Sequence, residues 1–94
     1  MILEIVSPEA TLFKGEVNSV SLPGVDGSFQ ILNNHAPIVS ILKQGTVKIT
    51  GTNFKFESEV LERKFIKVND QNYTLHIASG TIEMKDNKVI VLAD

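Results

Sequence analysis

Cysteine is absent from the 94 residues, and with it go disulfides, thiolate catalysis and cysteine metal ligands. Tryptophan is absent too, and aromatic residues make up only 6%. Positive charge is not in excess: nine Lys and Arg stand against eleven Asp and Glu, a formal net charge of −2. Nucleic-acid binders carry a basic stripe with stacking aromatics, so that class is excluded. No apolar run approaches the roughly 18–20 residues that span a bilayer, and no direct membrane insertion is expected. No charged segment followed by an apolar one opens the chain, so neither a secretory signal nor an Arg-rich transit peptide is expected. Alanine, the best helix former, occurs four times.

Ile and Val are abundant instead, at ten each, with six Thr. Branching at Cβ stiffens the side chain and suits a pleated surface. An apolar fraction of 43% with 21% charged residues supports one modest core, hence a single domain over residues 1–94. Period-two alternation recurs: Val47 and Ile49 oppose Thr46, Lys48 and Thr50, while Tyr73, Leu75 and Ile77 oppose Thr74, His76 and Ala78. Strands are expected at 3–6, 10–13, 17–22, 28–32, 38–42, 46–50, 54–56, 73–78, 81–84 and 89–92. Between them lie turn formers: Lys14-Gly15, the run Pro23 to Gly27, Asn33 to Pro37, Lys43 to Gly45, Asn69 to Asn72 and Asp86-Asn87. The predicted fold is all-β, a small sandwich or flattened barrel of about eight to ten short, mostly antiparallel strands. Glu57 to Lys64 fits either one or two helical turns or a charged excursion.

Catalytic patterns are scarce. No G-x-x-x-x-G-K-[ST] run exists, and Gly24-Val-Asp-Gly27 is too short to cradle a phosphate. A nucleophile would have to be Ser28 or Ser79 with His35 or His76, yet Ser79 lacks the G-x-S-x-G setting. His76, in mid-strand, is expected to be partly buried and hydrogen bonded. Two separated histidines without cysteine do not define a metal site. No catalytic residue, metal or cofactor is expected. Glu83-Met84-Lys85 partly matches the lysine signal of biotinyl and lipoyl carrier domains, which are also small β-sandwiches. That carrier and an unrelated protein-interaction module are the alternatives; in the first, Lys85 would bear the group, although Asp86 replaces the second Met.

The segment from Leu22 to Val39 is the richest. Phe29 and Ile31 alternate toward the core, leaving Ser28, Gln30 and Leu32 on the other face. Asn33, Asn34 and His35 can tie off backbone groups, and Pro37 fixes its own φ and extends Ala36. A loop this rigid loses little entropy on docking. It is either a partner-binding loop or a well-made corner.

Ordered motifs decide between these. Leu3-Glu-Ile-Val-Ser-Pro8, Leu12-Phe-Lys-Gly15, Leu22-Pro-Gly-Val-Asp-Gly27, Asn34-His-Ala-Pro-Ile38, Leu42-Lys-Gln-Gly45, Ser79-Gly-Thr-Ile-Glu83 and Val89-Ile-Val-Leu-Ala-Asp94 together resemble the N-terminal β-sandwich of the epsilon subunit of F-type ATP synthases. The likeness runs nearly end to end. Ser79 replaces a usual glycine, Ser28 a frequent acidic residue and Gln30 a glycine, and residues 52–72 are longer than the family pattern. Many relatives continue past the position of Asp94 into a helical hairpin that inhibits ATP hydrolysis and sometimes binds ATP; without it, neither property is expected. The resemblance implies a non-catalytic central-stalk subunit, peripheral at the cytoplasmic face of a bacterial inner membrane. Its expected partners are the gamma subunit and the c ring of a proton-translocating ATP synthase, with no small-molecule substrate. It further implies that Asn33, Asn34, His35, Ala36 and Pro37, with Ser28 in the preceding strand, meet the polar loops of the c ring. His35, Ala36 and Pro37 with Ile38 would also border gamma.

Overall fold

The computed structural model describes residues 1–94. Ten strands form one continuous sheet: β1 (Ile2–Val6), β2 (Thr11–Glu16), β3 (Ser19–Gly24), β4 (Gly27–Leu32), β5 (Ile38–Leu42), β6 (Gly45–Thr50), β7 (Ile66–Asn69), β8 (Asn72–Ile77), β9 (Gly80–Lys85) and β10 (Lys88–Ala93). A single helical turn, α1 (Glu59–Glu62), interrupts them between β6 and β7. The strand order is β2-β1-β10-β9-β5-β3-β6-β8-β7, with β4 added on β3. One half runs from β2 to β5 and the other from β3 to β7, and only the Gly24–Leu42 pair joins β3 to β5. The two halves lie face to face, and their inner side chains form one core.

Alternation explains that core. On β10, Val89, Val91 and Ala93 point inward; on β9, Ile82 and Met84; on β6, Val47 and Ile49; on β8, Tyr73, Leu75 and Ile77. Because paired residues share a face, these positions stack across strands without any charged residue entering the interior. All pairings are antiparallel except β1 with β10, where Leu3 lies beside Val89 and Ile5 beside Val91.

The structure departs from the sequence expectations at particular places. Residues 54–56 are not a strand. Phe54 and Phe56 instead pack on the Tyr73 ring at 4.7 and 5.1 Å and on Phe13 at 6.0 and 5.5 Å, so aromatic contact takes the place of a hydrogen-bonded ladder. With Phe65 they bridge β2, at one end of the strand order, to β8 near the other. The unforeseen strand is β7, whose four residues are all exposed and pair only with β8. Gly15 lies inside β2 rather than in a turn, because β2 continues along β1 to Glu16 after a register shift near Val6. The open segment 57–64 contains α1, where the Ser58 hydroxyl accepts the Leu61 N–H at 3.2 Å as N-cap. His76 is exposed on the outer face of β8, opposite Thr46, not partly buried: its neighbours Leu75 and Ile77 take the core side. Lys67, on β7, has the Asp70 carboxylate at 3.2 Å, which raises its pKa above the ordinary 10.5, with a smaller contribution from Tyr73.

Candidate functional site: a braced loop beside an apolar outer face

Between β4 and β5 the chain turns through Asn33 to Pro37, every residue of which is exposed. Asn34 takes φ +61, a left-handed conformation that Asn tolerates better than most residues. Its N–H donates to the Asn87 side-chain oxygen at 2.8 Å. Asn87 and Asp86, with φ of 59 and 52, form the tight turn joining β9 to β10, as the polar pair predicts. The two loops are thus tied to each other. The Asn33 side-chain oxygen accepts from the Met1 amino group, which also donates to the Val17 carbonyl at 3.2 Å. The His35 N–H donates to the Leu32 carbonyl at 3.2 Å. Its ring Nδ1 lies 2.7 Å from the Ala36 carbonyl. A carbonyl can only accept, so Nδ1 is the donor in this contact and Nε2 is the ring nitrogen without a partner in the molecule.

Replacing Asn87 by Gly keeps the turn's positive φ while deleting the acceptor. We expect global stability to fall by no more than about 1 kcal/mol. Amide hydrogen exchange should read faster opening at Asn34; unchanged exchange there would show that the loop needs no brace.

The sequence candidates separate in space. Asn33, Asn34, His35, Ala36 and Pro37 form one loop, and Ile38 opens β5 directly after it. Ser28 belongs to the other end of β4, where it is exposed, pairs with Pro23 and sits beside the Val25-Asp26 turn. Five residues of strand put it about 17 Å from the loop, so a single flat contact at the loop does not reach it. At that turn Gly27 takes φ +126 and completes the reversal. Ser79 donates to the Asp94 carboxylate at 2.8 Å. Lys85 pairs with Lys88 one step below the hairpin tip, and Met84 is in the core; a carrier lysine displayed at the turn is not the arrangement found.

Sequence reasoning missed the surface beside the loop. Strand β5 is apolar on both faces: Ile38 and Leu42 turn inward, while Val39 and Ile41 are 77% and 61% exposed. Register places Ile41 in a row with Thr81 and Leu92, and Val39 in a row with Glu83 and Ile90. Val6 continues the first row on β1. The opposite outer face carries Thr46, Lys48 and Thr50 on β6 with Thr74 and His76 on β8. The signal was present in Ile-Val-Ser-Ile-Leu at 38–42, since a strand without a polar face is normally covered on both sides.

A braced loop running into a sheet face with exposed apolar residues sits on a small β-sandwich. The chain belongs to the family described as ATP synthase delta/epsilon chain, β-sandwich domain, whose profile matches residues 1–75. Relatives include the ATP synthase epsilon chains of Chlorobaculum tepidum, 36% identical over 98% of this chain and 86% of the relative, and of Campylobacter concisus, 34% identical over 98% and 70%. That of Leptospira borgpetersenii is 38% identical over 98% of this chain and 59% of its own length. Among solved structures, the fold is shared with a chain in the central stalk and c-ring structure of Tetrahymena thermophila mitochondrial ATP synthase, at TM-score 0.67 and 17% identity. A chain of the Euglena gracilis mitochondrial enzyme matches at TM-score 0.73 and 17% identity. This chain spans 62% and 49% of those two chains.

Proposed function

We propose that this chain is a non-catalytic central-stalk subunit of a proton-translocating F-type ATP synthase, peripheral at the cytoplasmic face of a bacterial membrane. The observation that carries the reading is the outer face where exposed Val39 and Ile41 of β5, and half-buried Ile90 and exposed Leu92 of β10, flank Thr81 and Glu83 of β9, directly after the braced loop in the chain. That surface is the seat for gamma, with His35, Ala36 and Pro37 at its margin. The opposite end of β4, with Ser28 and the Val25-Asp26 turn, is polar apart from Val25 and faces the hydrated loops of the c ring. Two partners in line need two separated surfaces, and the separation of Ser28 from the loop supplies them. A closely packed interior is hard to compress, so such a wedge passes torque with little slip.

The test is co-expression with gamma. The wild-type chain should co-purify with gamma. Ile41→Asp should weaken the complex by at least about thirtyfold, since it buries a charge in an apolar contact, while its circular-dichroism melt stays at the wild-type position. Absence of a wild-type complex, or full binding by the variant, would overturn the reading.

A further inference from the structure

We infer that Glu83 is the specificity charge of the outer face, and that it takes an arginine or lysine side chain from the gamma subunit. The inference rests on the proposal that this face seats gamma.

Glu83 stands at the middle of the face, between Val39 on β5 and Ile90 on β10, one row from Ile41, Thr81 and Leu92. It is exposed and has no ion pair within the molecule. The other carboxylate on this face, Glu4, is already opposed by Lys88 at 3.9 Å. The nearest cation along β9 is Lys85, two residues away and therefore about 7 Å along the strand, beside the hairpin tip. Covering this face with a purely apolar partner would strip water from Glu83 without replacing it, an expensive arrangement for a carboxylate. A basic side chain on the partner removes that cost and fixes the docking register.

The surroundings suit a long cationic arm. On the β5 side, a hollow of about 400 Å³ is lined by Pro37, Val39 and Glu83. On the β10 side, a second of about 320 Å³ is lined by Glu83, Lys85, Lys88 and Ile90. The first lacks opposing charge apart from Lys85 at its rim, and gives the methylenes of the arm apolar contact while the head reaches the carboxylate. Arginine fits best, because its planar fork meets both carboxylate oxygens at once.

The experiment measures the affinity of purified gamma for the wild-type chain, Glu83→Gln, Glu83→Lys and Ile41→Asp at low and high salt. Glu83→Gln should weaken binding by about thirtyfold at low salt and flatten the salt dependence, and Glu83→Lys should weaken it further. Reversing one arginine or lysine of gamma to glutamate should restore binding to Glu83→Lys. If Glu83→Gln binds like wild type with the same salt dependence while Ile41→Asp fails to bind, the role of Glu83 is overturned and the apolar seat stands. If wild-type chain does not bind gamma, or Ile41→Asp binds as well as wild type, the seat itself is wrong. All variants alter exposed positions, so the circular-dichroism melt should match wild type throughout.

Discussion

Gly80→Ala should lower the melting temperature by about 15 °C, the equivalent of about 3 kcal/mol in a domain of this size. Gly80 opens β9 between two neighbours, pairing with Leu42 of β5 and Ala93 of β10. A methyl group built on its Cα runs into the Leu92 carbonyl oxygen and comes within 3.4 Å of the Ala93 Cα. Both obstacles are backbone, so no rotamer change relieves them. The residue does not occupy a left-handed conformation, and the requirement is therefore one of space alone. Relief means separating β9 from β10, at the junction where those strands bring Val91, Ile82 and Leu42 into the core. A thermal melt measures the effect; a shift under about 3 °C would show that the strands can part there cheaply.

Phe13→Ala should cost about 4 kcal/mol, in the middle of the range for emptying a buried aromatic site. The Phe13 ring is 3% exposed and touches Phe54, Phe56 and Phe65 with centroids 5.5–6.3 Å away. It is the member of the aromatic cluster that β2 contributes. Without it the excursion from Gly51 to Phe65 loses its hold on that side of the sheet, while Tyr73 still binds the other. Urea unfolding should give the stability change, and trypsin should cut faster at Arg63 and Lys64. Phe13→Leu, which keeps most of the volume, should lose under half as much. Equal protease resistance in wild type and Phe13→Ala would show that the excursion is held by Tyr73 alone.

Much of this architecture is legible in the sequence because side-chain alternation reports a sheet with one wet face. Val47 and Ile49, or Tyr73, Leu75 and Ile77, declare their strands that way, and Asp86-Asn87 declares its turn. Where the rule is relaxed, reading fails. Ile66 and Val68 lie on an edge strand and remain 68% and 57% exposed, so nothing in their apolar character marks the face they take. Phe54 and Phe56 alternate as a strand would, but their rings find other rings rather than their backbone finding a ladder. The loop at Asn33 to Pro37 was visible from its turn chemistry; its brace from Asn87 was not, since that contact joins residues far apart in sequence. Val39, Ile41 and Glu83 escaped notice for a related reason: only the register of β5, β9 and β10 makes them neighbours.

The parallel pairing of β1 with β10 bears on how the chain is made. During synthesis Leu3 and Ile5 emerge long before the strand that lies along one of their edges, with Val89 and Val91. Until then β1 has only β2 to pair with, and its inward side chains wait beside an unfilled slot. Contacts this distant slow the final closure of a fold. Nascent chains of this protein should therefore depend on a holding chaperone at the ribosome exit more than an up-and-down meander of the same length would.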